Sequence, residues 1–117
     1  MIKNNKPYEN IINKAADSIK ARNYISAKEY IRKALMEDYH APEPQNLIGI
    51  ICELSGDCIL AGKHYRAASS LDPTYKPAIH NLERITSFNY FIGQEEPDFG
   101  TQQQKSEVPG SKQLISA

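Results

Sequence analysis

Three histidines, two cysteines and fourteen carboxylate side chains are the groups here able to carry acid–base, nucleophilic or metal chemistry. Cys52 and Cys58 stand six apart, which is not the close pairing of a zinc knuckle or a redox-active dithiol. Both are expected as small buried hydrophobes. His40 falls in a loop, and His64 and His80 fall on helices, none of them with the serine and acid that nucleophilic catalysis needs. There is no glycine-rich phosphate loop and no paired metal motif. The expectation is a chain without catalytic residues, metal or cofactor, and not an enzyme.

Charge offers a second kind of chemistry. Lys28, Arg32 and Lys33 lie on one helix, and Lys63 and Arg66 take equivalent places on another. Stacked, they form a basic stripe of the kind that meets phosphates. Against this, 14 Lys and Arg balance 14 Asp and Glu, and no aromatic platform adjoins the stripe. Glu29 precedes Lys33 by one helical turn and is expected to pair with it, as on a solvated helix face. Nucleic acid is therefore the least favoured partner.

The cysteines give no disulfide framework, which fits a reducing compartment. Met1 to Tyr8 is polar and carries no signal peptide, and no apolar run is long enough to span a bilayer. A cytoplasmic protein without membrane contact is expected.

The elements that position these side chains follow from an internal repeat. Ala27, Ile31 and Ala34 recur 34 residues later as Ala61, Tyr65 and Ala68. Glu9 with Glu43, Ile25 with Ile59 and Arg32 with Arg66 keep the same register, and Ala15 faces Gly49. A period of this size, mixing small and bulky apolar residues, is a helix–turn–helix unit that stacks on its neighbours. The small residues let helix backbones approach, and the large ones fill the gaps between layers.

Punctuation places the helices. Asn5 caps the first, with Pro7 in its opening turn. Arg22-Asn23 breaks it, with Asn23 as the residue suited to a left-handed turn. The second helix runs from Tyr24 to Glu37, and the third follows Pro42 and ends at Ser55-Gly56. Asp57 caps the fourth, which ends near Leu71. Thr74 caps a fifth that continues to Gly93.

These residues resemble the tetratricopeptide repeat family. Ile48-Gly49 stands for the family's Leu-Gly, Gly56-Asp57 for its turn, and Ala61, Tyr65, Ala68 and Leu71-Asp72-Pro73 for its second helix. The first unit keeps Ala15, Ala27, Ile31 and Ala34 but departs at Lys14 and Tyr39. A third unit supplies one closing helix with Ile79, Leu82 and Ile85. The resemblance implies an all-α, right-handed superhelical stack of about five helices, a repeat domain over residues 1–92. The composition changes at Gly93, and a flexible polar tail is expected over 93–117. A sharper alternative makes Pro97-Asp98-Phe99-Gly100 a docking peptide, for a partner or for the protein's own groove.

The resemblance also implies a function. The first helix of each pair lines a concave groove, which here presents Glu9, Asn13, Asn46, Ile50, His80, Asn81 and Arg84 to a peptide or helix. That makes the chain a protein-binding adaptor or regulatory subunit. The family's clamp for carboxylate-ended chaperone tails is not expected, because its places fall on Ile12, Ala16, Leu47, Pro77 and Asn81, none of them cationic. The alternative is a homodimer or structural protein. It rests on Phe88, Tyr90, Phe91 and Ile92, an apolar cluster that either caps the stack or meets a second copy.

Overall fold

The computed structural model describes residues 6–88, 90–93 and 95–101. They are all-helical: α1 (Lys6–Lys20), α2 (Tyr24–Glu37), α3 (Glu43–Leu54), α4 (Cys58–Leu71), α5 (Lys76–Ile85) and the single turn α6 (Tyr90–Gly93). No described residue forms a strand. The expected cap Asn5 and the tail from 102 onward lie outside the described residues.

Helices α1, α2 and α4 carry apolar residues at the spacing that makes one buried stripe. In α1 these are Ile12, Ala15, Ala16 and Ile19; in α2, Ala27, Ile31 and Ala34; in α4, Ala61, Tyr65 and Ala68. Helix α3 differs. It buries Pro44, Asn46, Leu47, Gly49, Ile50, Ile51 and Glu53, which together occupy most of its circumference. It is the central helix, packed against α1, α2 and α4.

The two helix pairs repeat in their turns as well as in their cores. Arg22 and Gly56, 34 apart in the sequence, both have left-handed backbones, with φ of 65° and 94°. The next residue caps the following helix in both pairs. Asn23 Oδ1 accepts from Ser26 N at 3.2 Å, and Asp57 Oδ1 accepts from Leu60 N at 3.0 Å. Asp38 and Asp72 then end α2 and α4 in near-identical extended conformations. The left-handed residue is thus Arg22 and not Asn23, because the asparagine side chain is committed to capping.

Close approach of α3 and α4 depends on Gly49. A Cβ built there would lie 2.5 Å from Tyr65 Cε1. Tyr65 is fully buried and fills the space the glycine leaves.

The closing helix is shorter than the sequence implies. Tyr75 and not Thr74 occupies the N-cap, without a side-chain bond, while Thr74 is bonded to Asp72 instead. Helix α5 stops at Ile85, and Thr86 Oγ1 donates back to the carbonyls of Leu82 and Glu83 at the helix end. The chain re-enters helix only at Tyr90. The backbone at Ser87 joins the two parts, with Tyr90 N donating to Ser87 O at 3.2 Å.

Candidate functional site

Helices α1, α3 and α5 share one face, and residues 95–101 lie along it. Asn46 on α3 and Asn81 on α5 both donate through Nδ2 to the carbonyl of Asp98, at 3.0 and 2.9 Å. Asn81 Oδ1 accepts the Asp98 amide at 2.7 Å. One side-chain amide therefore engages both main-chain groups of one residue. The two asparagines are themselves joined, Asn81 Nδ2 to Asn46 Oδ1, at 2.9 Å. Both are fully buried, so their amides depend on these partners.

The side chains of the segment add to the main-chain contacts. His80 Nδ1 lies 3.2 Å from Asp98 Oδ2, and its Nε2 lies 3.0 Å from Glu95 Oε2. Phe99 is 4% exposed, with the Lys20 ammonium 4.9 Å from its ring centroid. Pro97 biases Glu96 toward extended backbone. Asp98 Oδ1 then accepts the Gly100 amide at 3.0 Å, and Gly100 turns with φ 73°. A Cβ there would run into the Tyr75 hydroxyl and lie 3.1 Å from Pro77 Cγ. Each main-chain bond contributes about 1 kcal/mol and the buried phenyl about 2, so polar and apolar contacts hold the segment in comparable measure.

Beneath it lies a charged centre. Arg84 grips Glu53 with two bonds, Nη1 to Oε2 at 2.6 Å and Nη2 to Oε1 at 2.7 Å. Glu53 also accepts from the hydroxyls of Tyr65 at 2.7 Å and Tyr90 at 2.8 Å. Burial opposes ionisation of this carboxyl, but the bonds from Arg84, Tyr65 and Tyr90 outweigh it and hold the group below the usual carboxylate range. Burial and contact with Glu53 push the Tyr65 and Tyr90 hydroxyls well above the ordinary tyrosine value. Arg84 Nη2 continues to Asn81 Oδ1 at 3.1 Å and orients that amide toward Asp98.

Of the residues expected in the groove, Asn46, His80, Asn81 and Arg84 converge on residues 95–98. Glu9 and Asn13 line a cleft of about 470 Å³ with Gly100 and Thr101, where the segment reaches α1. Ile50 is fully buried in the core cluster that also holds Phe99, as is Leu47, because α3 is enclosed on several sides; Ile12 on α1 is nearly so. Tyr65 and Lys20 were missed as site residues, whereas the register of α3 places Glu53 on the concave surface.

The flexible tail expected from residue 93 meets a packed segment at 95–101, with Phe99 joining the core and Thr101 buried. One phenyl does not build a core, but it completes one that α1 and α3 already supply. In the apolar cluster, Phe88 precedes α6 and is 99% exposed. Tyr90 folds inward, and the side chains of Phe91 and Ile92 lie outside the described residues.

The other reactive groups are elsewhere. Cys52 and Cys58 are free and half-buried, not fully buried as expected, and Cys58 Sγ donates to Tyr90 Oη at 3.8 Å. His64 is bonded to Gln45 at 2.8 Å, and burial lowers its pKa. His40 is exposed beside Tyr39. Glu29 pairs with Arg32 at 2.8 Å and not with Lys33, which lies over Tyr30. Among the described residues no group of three or more His, Cys, Asp or Glu is placed to hold a metal ion. No helix among them is long and apolar enough to cross a membrane. Comparison with protein-family models, curated proteins and solved structures found no match.

Proposed function

We propose that this chain is a non-catalytic peptide-recognition module, an adaptor or regulatory subunit, that grips an extended partner in the groove formed by α1, α3 and α5. The observation that carries the reading is the grip on Asp98. Asn81 engages its amide and carbonyl together, and Asn46 adds a second donor to the carbonyl. Such contacts recognise extended main chain whatever its side chains, which is how a groove binds a peptide.

The proposed architecture is a right-handed, tetratricopeptide-like stack. Its support is the recurrence of core residues, left-handed turns and caps at one 34-residue spacing. The free cysteines fit action in the cytoplasm.

Selection from a random-peptide display library tests the reading. Peptides enriched on the intact chain and lost on an Asn46→Ala/Asn81→Ala chain are the expected result. Equal enrichment on both chains would reject the groove as the binding site.

A second reading, self-association, has one specific support in Phe88, which is 99% exposed at the C-terminal end of the stack. A dimer that becomes a folded monomer on Phe88→Asp would favour it over the groove.

A further inference from the structure

We infer, on the basis of the peptide-recognition reading, that the groove's ligand is an acidic peptide of the form Glu-x-x-Asp-Phe-Gly carried by another protein. Residues 95–101 are then the resident copy that this ligand displaces. The groove reads four positions of the segment, the first, fourth, fifth and sixth. At the first and fourth, carboxylates lie against the two ring nitrogens of His80. The adjoining carbonyl of Glu95 lies 3.5 Å from Arg84 Nη1. Lys20 lies over the Phe99 ring and Arg84 is already paired with Glu53, so the preference for carboxylates rests on the two His80 contacts at the first and fourth positions.

The fifth position must be aromatic or comparably large, since Phe99 is 4% exposed and completes the core cluster. The sixth must be glycine. Its left-handed φ of 73° disfavours any other residue, and Tyr75 and Pro77 leave no room for a Cβ. Glu96 is exposed and unread.

The resident segment is built to be exchanged. Of residues 95–101, only Phe99 and Thr101 are buried, whereas a segment serving only to close the core would bury more apolar surface. Every bond it makes to the groove is equally available to a free peptide of the same sequence. Its advantage is tethering, which gives a linked segment an effective concentration on the order of millimolar. A competing peptide therefore sees a groove that is mostly filled, and its apparent affinity falls with the open fraction.

The test uses the full chain in three forms: unaltered, Phe99→Ser and Gly100→Val. The two substitutions remove the resident segment by different means, lost burial and steric block. The probe is a fluorescein-labelled, end-blocked peptide Glu-Glu-Pro-Asp-Phe-Gly-Thr, with a scrambled peptide as control, read by anisotropy.

Both altered chains are expected to bind the probe at least about tenfold tighter than the unaltered chain, and the scrambled peptide at least about tenfold more weakly than the probe. Adding Asn81→Ala should abolish binding. Equal binding of probe and scramble would overturn the sequence assignment and leave main-chain recognition standing. Binding of neither peptide to altered chains that keep their helix content would overturn both. Equal affinity in all three forms would overturn the resident-competitor role, as would loss of helix content in both altered chains.

Discussion

Arg84 and Glu53 form a bidentate ion pair between α5 and α3 with both side chains under 5% exposed, at 4% and 3%. The pair sits one helical turn from Asn81 and shares a hydrogen bond with it. The groove's central amide is therefore positioned by a buried charge pair, with Glu53 further bonded to two tyrosines.

Removing one member leaves the other charged and buried. Glu53→Gln is expected to destabilise the fold by about 3–5 kcal/mol, the usual cost of an orphaned buried charge. Replacing the pair together by Glu53→Leu/Arg84→Met removes both charges and should cost less, the remaining loss coming from the buried Tyr65 hydroxyl left without its acceptor. Urea unfolding of the three chains measures the difference, and equal losses in the single and double variants would refute it.

The same carboxyl sets an acid limb. Its pKa is lower in the folded chain than in the unfolded one, so the unfolded chain takes up the proton first. The stability it contributes is complete above the unfolded value of about 4.3 and is lost as pH falls through the folded value. Stability measured against pH should decline more gently in Glu53→Gln over that interval than in the parent chain.

Gly49→Ala sets two effects against each other. Alanine favours the helix by about 1 kcal/mol, but its Cβ would stand 2.5 Å from Tyr65 Cε1. Tyr65 cannot swing aside, because it is fully buried and its hydroxyl is bound to Glu53. Overpacking of this kind costs about 1–3 kcal/mol, so the net expected outcome is a loss of about 1 kcal/mol. A raised melting temperature would show that the tyrosine moves.

The two turns give opposite expectations. Gly56→Ala places a side chain at φ 94° and should cost about 1 kcal/mol. Arg22→Gly relieves the same conformation at φ 65°, offset by glycine's greater chain entropy, for a net gain of about 0.5 kcal/mol. Denaturant midpoints should move in opposite directions.

Much of the helical layout was legible because it rests on local spacing. Ala27, Ile31 and Ala34 repeated at Ala61, Tyr65 and Ala68 announced two pairs of helices, and α2 begins and ends where Tyr24 and Glu37 place it. The break after Ile85 was not legible, because neither glycine nor proline marks it and Thr86 reads equally as a helix residue. Ile50 reads as a groove residue from its register, and only the enclosure of α3 makes it core. The docking of residues 95–101 depends on contacts across 17 and 52 residues of sequence, from Asp98 to Asn81 and Asn46. No short window of sequence encodes such pairings. The composition of that stretch reads as tail because few of its residues are apolar, and one buried phenyl with main-chain bonds suffices to seat it.

Glu53 draws its four hydrogen bonds from Tyr65 on α4, Arg84 on α5 and Tyr90 on α6. Stacked helices ordinarily fray from either end, each unit leaving its neighbour in turn. Here, peeling α6 strips a donor from a buried carboxylate, and peeling α5 strips two more, so these helices gain nothing by leaving separately. The α1–α2 pair is joined to α3 by apolar packing and by the Tyr8–Glu43 bond at 2.9 Å. The helices that share Glu53, α3 to α6, are therefore expected to unfold as one cooperative block and not helix by helix.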